Sequence, residues 1–266
     1  VRIARFAAGD EVSYGLVGTA RAGTAAAGGE VVAELAGHPL GAGTDGIRLT
    51  GTTYRLDEVR LLAPVLPSKV IGFWPASPGT GARADDGLAD GSVMYLKPST
   101  AVCGPLDAIQ SPAQAQRLQA GARLAVVIGR LCRHVPSEQG GAAIFGYACA
   151  LDVIAADLRE RDGQWARATG FDTFCPLGPW IETDAPGAAE LVTSVNGQAR
   201  KQARMPGPAW EAAVLVAAAS SVMTLLPGDV LLAGAGPGDV ALGCGDEVSV
   251  SIGGIGTLTN KVEKGD

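Results

Sequence analysis

Gly163-Gln164-Trp165-Ala166-Arg167-Ala168-Thr169-Gly170-Phe171-Asp172-Thr173-Phe174-Cys175-Pro176-Leu177-Gly178-Pro179-Trp180 is the stretch on which the fold of this chain turns. Upstream of it, residues 155–161 read as a helix and residues 145–153 as a strand. Further strand candidates are residues 124–128, 93–96 and 69–72, short apolar runs bounded by polar and glycine-rich segments. Downstream, Val248, Val250 and Ile252 alternate with Glu247, Ser249 and Ser251, the period of a half-buried strand. Residues 229–232 form another short run after the turn pair Pro227-Gly228. The apolar residues 212–226 read as a buried or amphipathic helix stopped by that proline, too short to span a bilayer.

Residues 1–64 are expected to form a small β-rich domain, because the runs 12–17 and 31–35 are broken by Gly and Thr clusters. Pro64 and Pro67 mark its end, and residues 65–266 form the larger domain that carries the pocket. Residues 75–91 are rich in Gly, Ala and Asp and show no apolar period, so they read as a long loop of the kind that closes over sites. The expected class is α+β, dominated by β-structure. Neither the alternation of a doubly wound sheet nor that of a (β/α)₈ barrel is present. Gly234-Ala235-Gly236-Pro237-Gly238 lacks the Lys-Ser/Thr pair and the following helix of a phosphate loop.

A net charge of -6 without blocks of like charge argues against nucleic acid or an anionic membrane as partner. The N-terminus has no apolar run of the secretory type. The five cysteines are odd in number and widely spaced, which fits reduced thiols and a cytoplasmic setting. With only His38 and His134 present, histidine-based metal sites or triads are severely limited.

The 163–180 stretch resembles the fumarylacetoacetate hydrolase family almost letter for letter. So do, in order, Leu61-Leu62-Ala63-Pro64-Val65, Leu96-Lys97-Pro98-Ser99-Thr100, Leu124-Ala125-Val126-Val127-Ile128-Gly129 and Phe145-Gly146-Tyr147. Val195-Asn196-Gly197, Met223-Thr224-Leu225-Leu226-Pro227-Gly228-Asp229-Val230 and residues 253–260 complete the series. The resemblance implies a β-roll domain behind a small N-terminal domain, a homodimer, and a site in the large domain. It also implies Mg²⁺ or Mn²⁺ on three carboxylates, stabilising an enolate, and a His-Glu pair on a lid that activates water. The chemistry explains the set: cleaving a bond beside a carbonyl leaves a carbanion, whose charge a hard divalent cation draws onto oxygen, while a base deprotonates water.

Most of that machinery is replaced here. Where the family has Glu-x-Glu before the Leu-Ala-Val-Val-Ile-Gly strand, this chain has Gly121-Ala122-Arg123, and only Asp152 matches a metal ligand. Thr80 stands where the lid His is expected and Arg83 where its Glu partner is, and Pro75-Ala76-Ser77 replaces the motif before them. Ala156 and Arg159 replace the Arg and Gln that follow the Asp, Thr169 replaces a Lys, and Ala233-Gly234-Ala235-Gly236 replaces a Thr-Gly-Thr-Pro loop. An Arg123–Asp152 ion pair is therefore expected, with the guanidinium supplying the positive charge or merely neutralising a buried remnant.

Lys97 and Tyr95 complete the candidate catalytic set, each with a packing role as the alternative. Phe73, Trp74, Thr80, Arg159, Thr169 and Asp172 are candidates for substrate contact, with turn capping the alternative for Asp172. No metal or other cofactor is expected; Mg²⁺ or Mn²⁺ on Asp85, Asp86 or Asp90 with Asp152 is the alternative. The expected function is metal-independent, non-hydrolytic chemistry on a carbonyl-rich small molecule. Cyclisation, isomerisation, dehydration or a related lyase step are all open, with a polyketide-like intermediate of specialised metabolism as one setting. A non-catalytic binding or dimerisation partner and an atypical metal-dependent hydrolase or decarboxylase are the competing readings.

Overall fold

The protein was analysed as a computed structural model that describes residues 1–19, 29–40, 47–74, 93–205, 208–234 and 240–265. The expected 75–91 loop, with Thr80, Arg83, Asp85, Asp86 and Asp90, lies outside the described residues. Among those described, the strands run β1 (Arg2–Ala8), β2 (Glu11–Thr19), β3 (Glu30–Leu35), β4 (Leu49–Arg55), β5 (Arg60–Leu62), β6 (Lys69–Trp74), β7 (Val93–Pro98), β8 (Val102–Cys103) and β9 (Ala108–Ser111). They continue as β10 (Leu118–Ile128), β11 (Ile144–Ala155), β12 (Cys175–Glu182), β13 (Ala189–Val195), β14 (Gln198–Met205), β15 (Val230–Ala233), β16 (Val240–Leu242), β17 (Glu247–Ile252) and β18 (Gly256–Lys264). Four α-helices join them: α1 (Ser137–Gly140), α2 (Ala156–Asp162), α3 (Ala166–Thr169) and α4 (Pro208–Val222).

The large sheet follows the order β4-β3-β2-β1-β12-β11-β10-β15-β6-β7, and a smaller one the order β14-β13-β17-β18-β9. The N-terminal strands enter the large sheet through β1 and β12, with Arg2 opposite Glu182 and Ile3 opposite Ile181. β5, which also pairs with β1, ends at Leu62, just before Pro64. The architecture is thus β-dominated, as the sequence predicts. No helix among the described residues is long and apolar enough to cross a membrane.

Side chains alternate between two apolar layers, as the pleat requires. Leu124, Val126 and Ile128 of β10 join Leu191, Val248, Val250 and Ile252 in the main core between the sheets. Ala125 and Val127 face the other way, with Ala148 and Ala150 of β11, Leu177, Leu232 and Val70. Arg123 and Asp152 occupy that second face, two residues beyond Ala125 and Ala150. The roll then closes: β7, three strands from β10 in the hydrogen-bonding order, meets β11 through Lys97 Nζ, which donates to the Val153 carbonyl.

Two expectations shift. β10 begins at Leu118, six residues before the strand read from sequence, because Ala120, Gly121, Ala122 and Arg123 carry no apolar signal and yet are buried. Helix α4 starts at Pro208 and ends at Val222, so it does not reach Leu226. Leu225 bonds instead to Cys132 through both backbone groups, at 3.0 and 2.9 Å.

Candidate active site

Four side chains from four strand positions meet at one end of the second layer. Arg123 and Asp152 come from the central antiparallel pair β10–β11, where Gly121 stands opposite Asp152 and Ala150 opposite Arg123. Tyr95 and Lys97 lie two apart on β7 and so share a face. All four are buried, Arg123, Asp152 and Lys97 without any exposed surface. Gly72, opposite Tyr95 on β6, makes this possible: a Cβ there would stand 2.1 Å from the Tyr95 ring.

The expected ion pair is formed, with Arg123 Nη2 3.2 Å from Asp152 Oδ2. The Tyr95 hydroxyl donates a short hydrogen bond to the same oxygen. Lys97 Nζ lies 3.0 Å from Oδ1 and shares its hydrogens between that oxygen and the carbonyls of Val153, Thr169 and Phe174 at 2.8, 3.1 and 3.1 Å. Arg123 Nε is left without a hydrogen-bond partner. Burial pushes the Asp152 carboxyl towards the neutral form, but Lys97, Arg123 and the Tyr95 hydroxyl outweigh it and hold it below the usual carboxylate range. Burial, reinforced by the Asp152 charge, raises the Tyr95 phenol well above its ordinary value, so it stays protonated.

An aromatic stack backs Tyr95. Trp165 lies parallel to its ring, with centroids 4.7 Å apart and planes 12° apart. Arg159 places its guanidinium 5.3 Å above Trp165, and Trp74 approaches the same indole at 6.2 Å. Trp165 was not singled out from the sequence; the signal available was its place beside Arg159 and Thr169 in the stretch that decides the fold.

The remaining candidates divide. Thr169 is buried, its hydroxyl lies 3.3 and 3.0 Å from the carbonyls of Leu96 and Trp165, with one hydrogen to give between them, and its own carbonyl receives Lys97. It ties α3 to β7. Phe73 points into the main core, on the face of β6 opposite the cluster. Asp172 is exposed and lines a separate surface cleft of about 330 Å³ with Gln110, Pro112, Gly170 and Phe171. Thr80 lies outside the described residues. His134 is exposed and receives a hydrogen bond from Arg133 Nε at 3.0 Å, away from the cluster.

These residues do not fit the divalent cation that the resemblance implies. Gly121 offers no side-chain ligand, and Arg123 brings a fixed cation to within 3.2 Å of Asp152. Asp152 is already flanked by two cations and a phenol. No group of three His, Cys, Asp or Glu side chains suited to a metal occurs among the described residues. The thiols add no nucleophile here, since burial raises Cys149 and Cys175 to about 12.

Comparison with known proteins follows the same lines. The family model for the C-terminal domain of fumarylacetoacetate (FAA) hydrolase matches residues 79–263, and a model described as Rv2993c-like, N-terminal matches residues 1–64. Protein Rv2993c of Mycobacterium tuberculosis is 41% identical, over 98% of both chains. The crystal structure of 5-carboxymethyl-2-hydroxymuconate delta-isomerase from Mycobacterium smegmatis superposes with a TM-score of 0.84 at 41% identity, covering 99% of this chain and 100% of that one. The mitochondrial oxaloacetate tautomerase Fahd2a of Rattus norvegicus is 33% identical over 77% of this chain and 70% of its own.

Proposed function

The chain belongs to the fumarylacetoacetate hydrolase family, and from that premise we propose that it is an isomerase of the keto–enol type, acting on a small enolisable carbonyl acid without a metal ion. Isomerase chemistry on this fold fits the relatives, which carry the names of a delta-isomerase and a tautomerase. The observation that carries the metal-free part is Arg123: a guanidinium buried beside Asp152, where the family pattern has a carboxylate ligand.

Tautomerisation moves one proton between an oxygen and the neighbouring carbon, through an enolate whose negative charge needs a partner. Arg123 supplies a permanent positive charge in a site shielded from water, where it acts far more strongly than in solution. In the enol-to-keto direction Asp152 takes up the enol proton, Tyr95 gives its hydroxyl proton to the neighbouring carbon and regains one from Asp152 through their shared hydrogen bond, so one proton leaves oxygen and one arrives on carbon. Asp152 and Lys97 fix the positions of Arg123 and Tyr95 and keep the local charge balanced. Hydrolysis is not supported, because no described residue near the cluster is a base suited to water.

The test is an oxaloacetate tautomerase assay on protein dialysed against EDTA. Activity is expected to survive dialysis within a factor of about two, and Arg123→Met is expected to lower kcat by about 10²–10³, the effect of losing one oxyanion donor. Activity that vanishes on dialysis and returns with Mg²⁺ or Mn²⁺ would overturn the metal-free reading. The complete burial of Arg123, Lys97 and Asp152 favours a second reading, in which the cluster only neutralises itself and the protein binds without turnover. Saturable binding of oxaloacetate with no conversion by the wild type selects it.

A further inference from the structure

The four side chains of the cluster are sealed from solvent. Arg123, Asp152 and Lys97 have no exposed surface, and Tyr95 is 4% exposed. A small molecule that meets them has to pass something that moves. Contacts run outward from the cluster in one direction: Tyr95 donates to Asp152, Trp165 stacks on the Tyr95 ring, and Trp165 is itself half-buried. Gly72 closes the Tyr95 ring from β6. Among the described residues, the indole of Trp165 is therefore the group that stands between the Tyr95 ring and the surface.

Trp165 is fixed at its backbone and loosely held at its side chain. Its carbonyl receives the Thr169 amide at 3.0 Å and lies 3.0 Å from the Thr169 hydroxyl. Gly163 caps α2 two residues earlier in the left-handed conformation, at φ 65°. The indole N–H has no acceptor among the described residues, whereas that of Trp180 donates to the Ile255 carbonyl at 2.8 Å. Ring and charge contacts alone keep the indole in place: the stack on Tyr95, the tilted ring of Trp74 at 6.2 Å and the guanidinium of Arg159 at 5.3 Å. Among the described residues that guanidinium has no hydrogen-bond acceptor or carboxylate partner; its contact is the indole. Such contacts yield to rotation about two side-chain bonds, with no hydrogen bond to break.

We propose that Trp165 is a side-chain gate: substrate reaches Tyr95 and Asp152 when the indole swings off the Tyr95 ring, and Arg159 is the latch that draws it back. This rests on the isomerase reading above and names the step that precedes the chemistry. A ring that returns after entry also keeps water from the enolate, where the Arg123 charge acts most strongly.

The test uses the full chain produced with 5-fluorotryptophan. It has four tryptophans, and the fluorine signal of Trp165 is the one missing from Trp165→Phe. In the ligand-free wild type that signal is expected to show exchange on the microsecond-to-millisecond timescale. The open population is expected to rise about two- to fivefold in Arg159→Met, the weight of one cation–π contact at a partly exposed site. In stopped flow, the observed rate of oxaloacetate binding is expected to level off with concentration in the wild type, at the rate of opening, and to stay linear in Trp165→Ala. A Trp165 signal free of exchange, or wild-type binding that stays linear, overturns the gate, and neither result depends on a variant that folds poorly. Exchange at Trp165 without turnover of oxaloacetate removes the isomerase reading alone. Turnover with no exchange and linear binding removes the gate alone.

Discussion

Among the described residues two aspartates are wholly buried, Asp229 and Asp152, and they are treated in opposite ways. Asp229 immediately precedes β15 and ties it to the start of β6. Its Oδ1 accepts from Ser68 Oγ at 2.6 Å and from the Lys69 amide at 3.3 Å, and its Oδ2 accepts from the Leu226 amide at 2.8 Å and pairs with Lys69 Nζ. Every lone pair that burial removes from water finds a hydrogen. Asp152 has more positive charge around it, two cations instead of one, and a phenol, but accepts from no backbone amide. The contrast separates two uses of a buried carboxylate. One closes a turn and is satisfied by backbone and hydroxyl groups; the other is held by the charge of two fully buried cations.

The largest effects that test this contrast are on stability. Asp152→Ala strands Lys97 and Arg123, both fully buried, and is expected to destabilise by about 3–5 kcal/mol in urea unfolding. Asp229→Ala is expected to cost about 2–3 kcal/mol, because Lys69 is 20% exposed and can turn to solvent, leaving mainly the lost hydrogen bonds. Equal losses, or a larger one at Asp229, would show that the charge at Asp152 matters less than the contacts at Asp229, and the distinction would collapse.

The pH dependence sharpens the comparison further. Asp152 is held below the ordinary aspartate value of 3.8 despite its burial. A carboxyl with a lowered folded value contributes stability that is fully present above its unfolded value and is lost as the pH falls through the folded one. Wild-type stability is therefore expected to fall below pH 4 with a contribution of up to about 1.4 kcal/mol per pH unit from this group. Asp152→Asn is expected to flatten that limb of the urea midpoint between pH 5 and pH 2. Unchanged slopes in the variant would mean that Asp152 is not held ionised by its neighbours.

The sequence made the scaffold and the heart of the site readable, for reasons that differ from residue to residue. Arg123 and Asp152 stand out because ordered flanks fix their register, and an ion pair is the one inexpensive way to bury both. Lys97 stands in the retained motif Leu96–Thr100, and the structure sets Tyr95 on the same face two residues away along β7. What was hidden depends on contacts across the roll. Nothing in the local sequence shows that Thr169 spends both its hydroxyl and its carbonyl on β7 and its surroundings, or that Asp172 turns to a different surface. Gly72 inside a strand was a signal of close approach, but only the closed sheet shows that the approaching group is the Tyr95 ring.

The smallest effect concerns how Tyr95 is held, and it separates the phenol from the groups that support it. The Tyr95 ring is confined between Gly72 and Trp165, and Arg159 lies over the far side of that indole. Trp165→Leu removes the stacked pair and is expected to destabilise by about 0.5–1.5 kcal/mol, an aromatic-pair contribution. Stability alone would not separate packing from function here, because any large side chain in that place would be missed. The informative reading is the ratio of effects. If Trp165 orients the phenol towards Asp152, kcat falls while the binding of oxaloacetate is retained, since Arg123 and Asp152 are untouched. If Trp165 only fills space, kcat and binding fall together, or neither changes beyond the stability loss, and Tyr95 is then positioned by Gly72 and Asp152 alone.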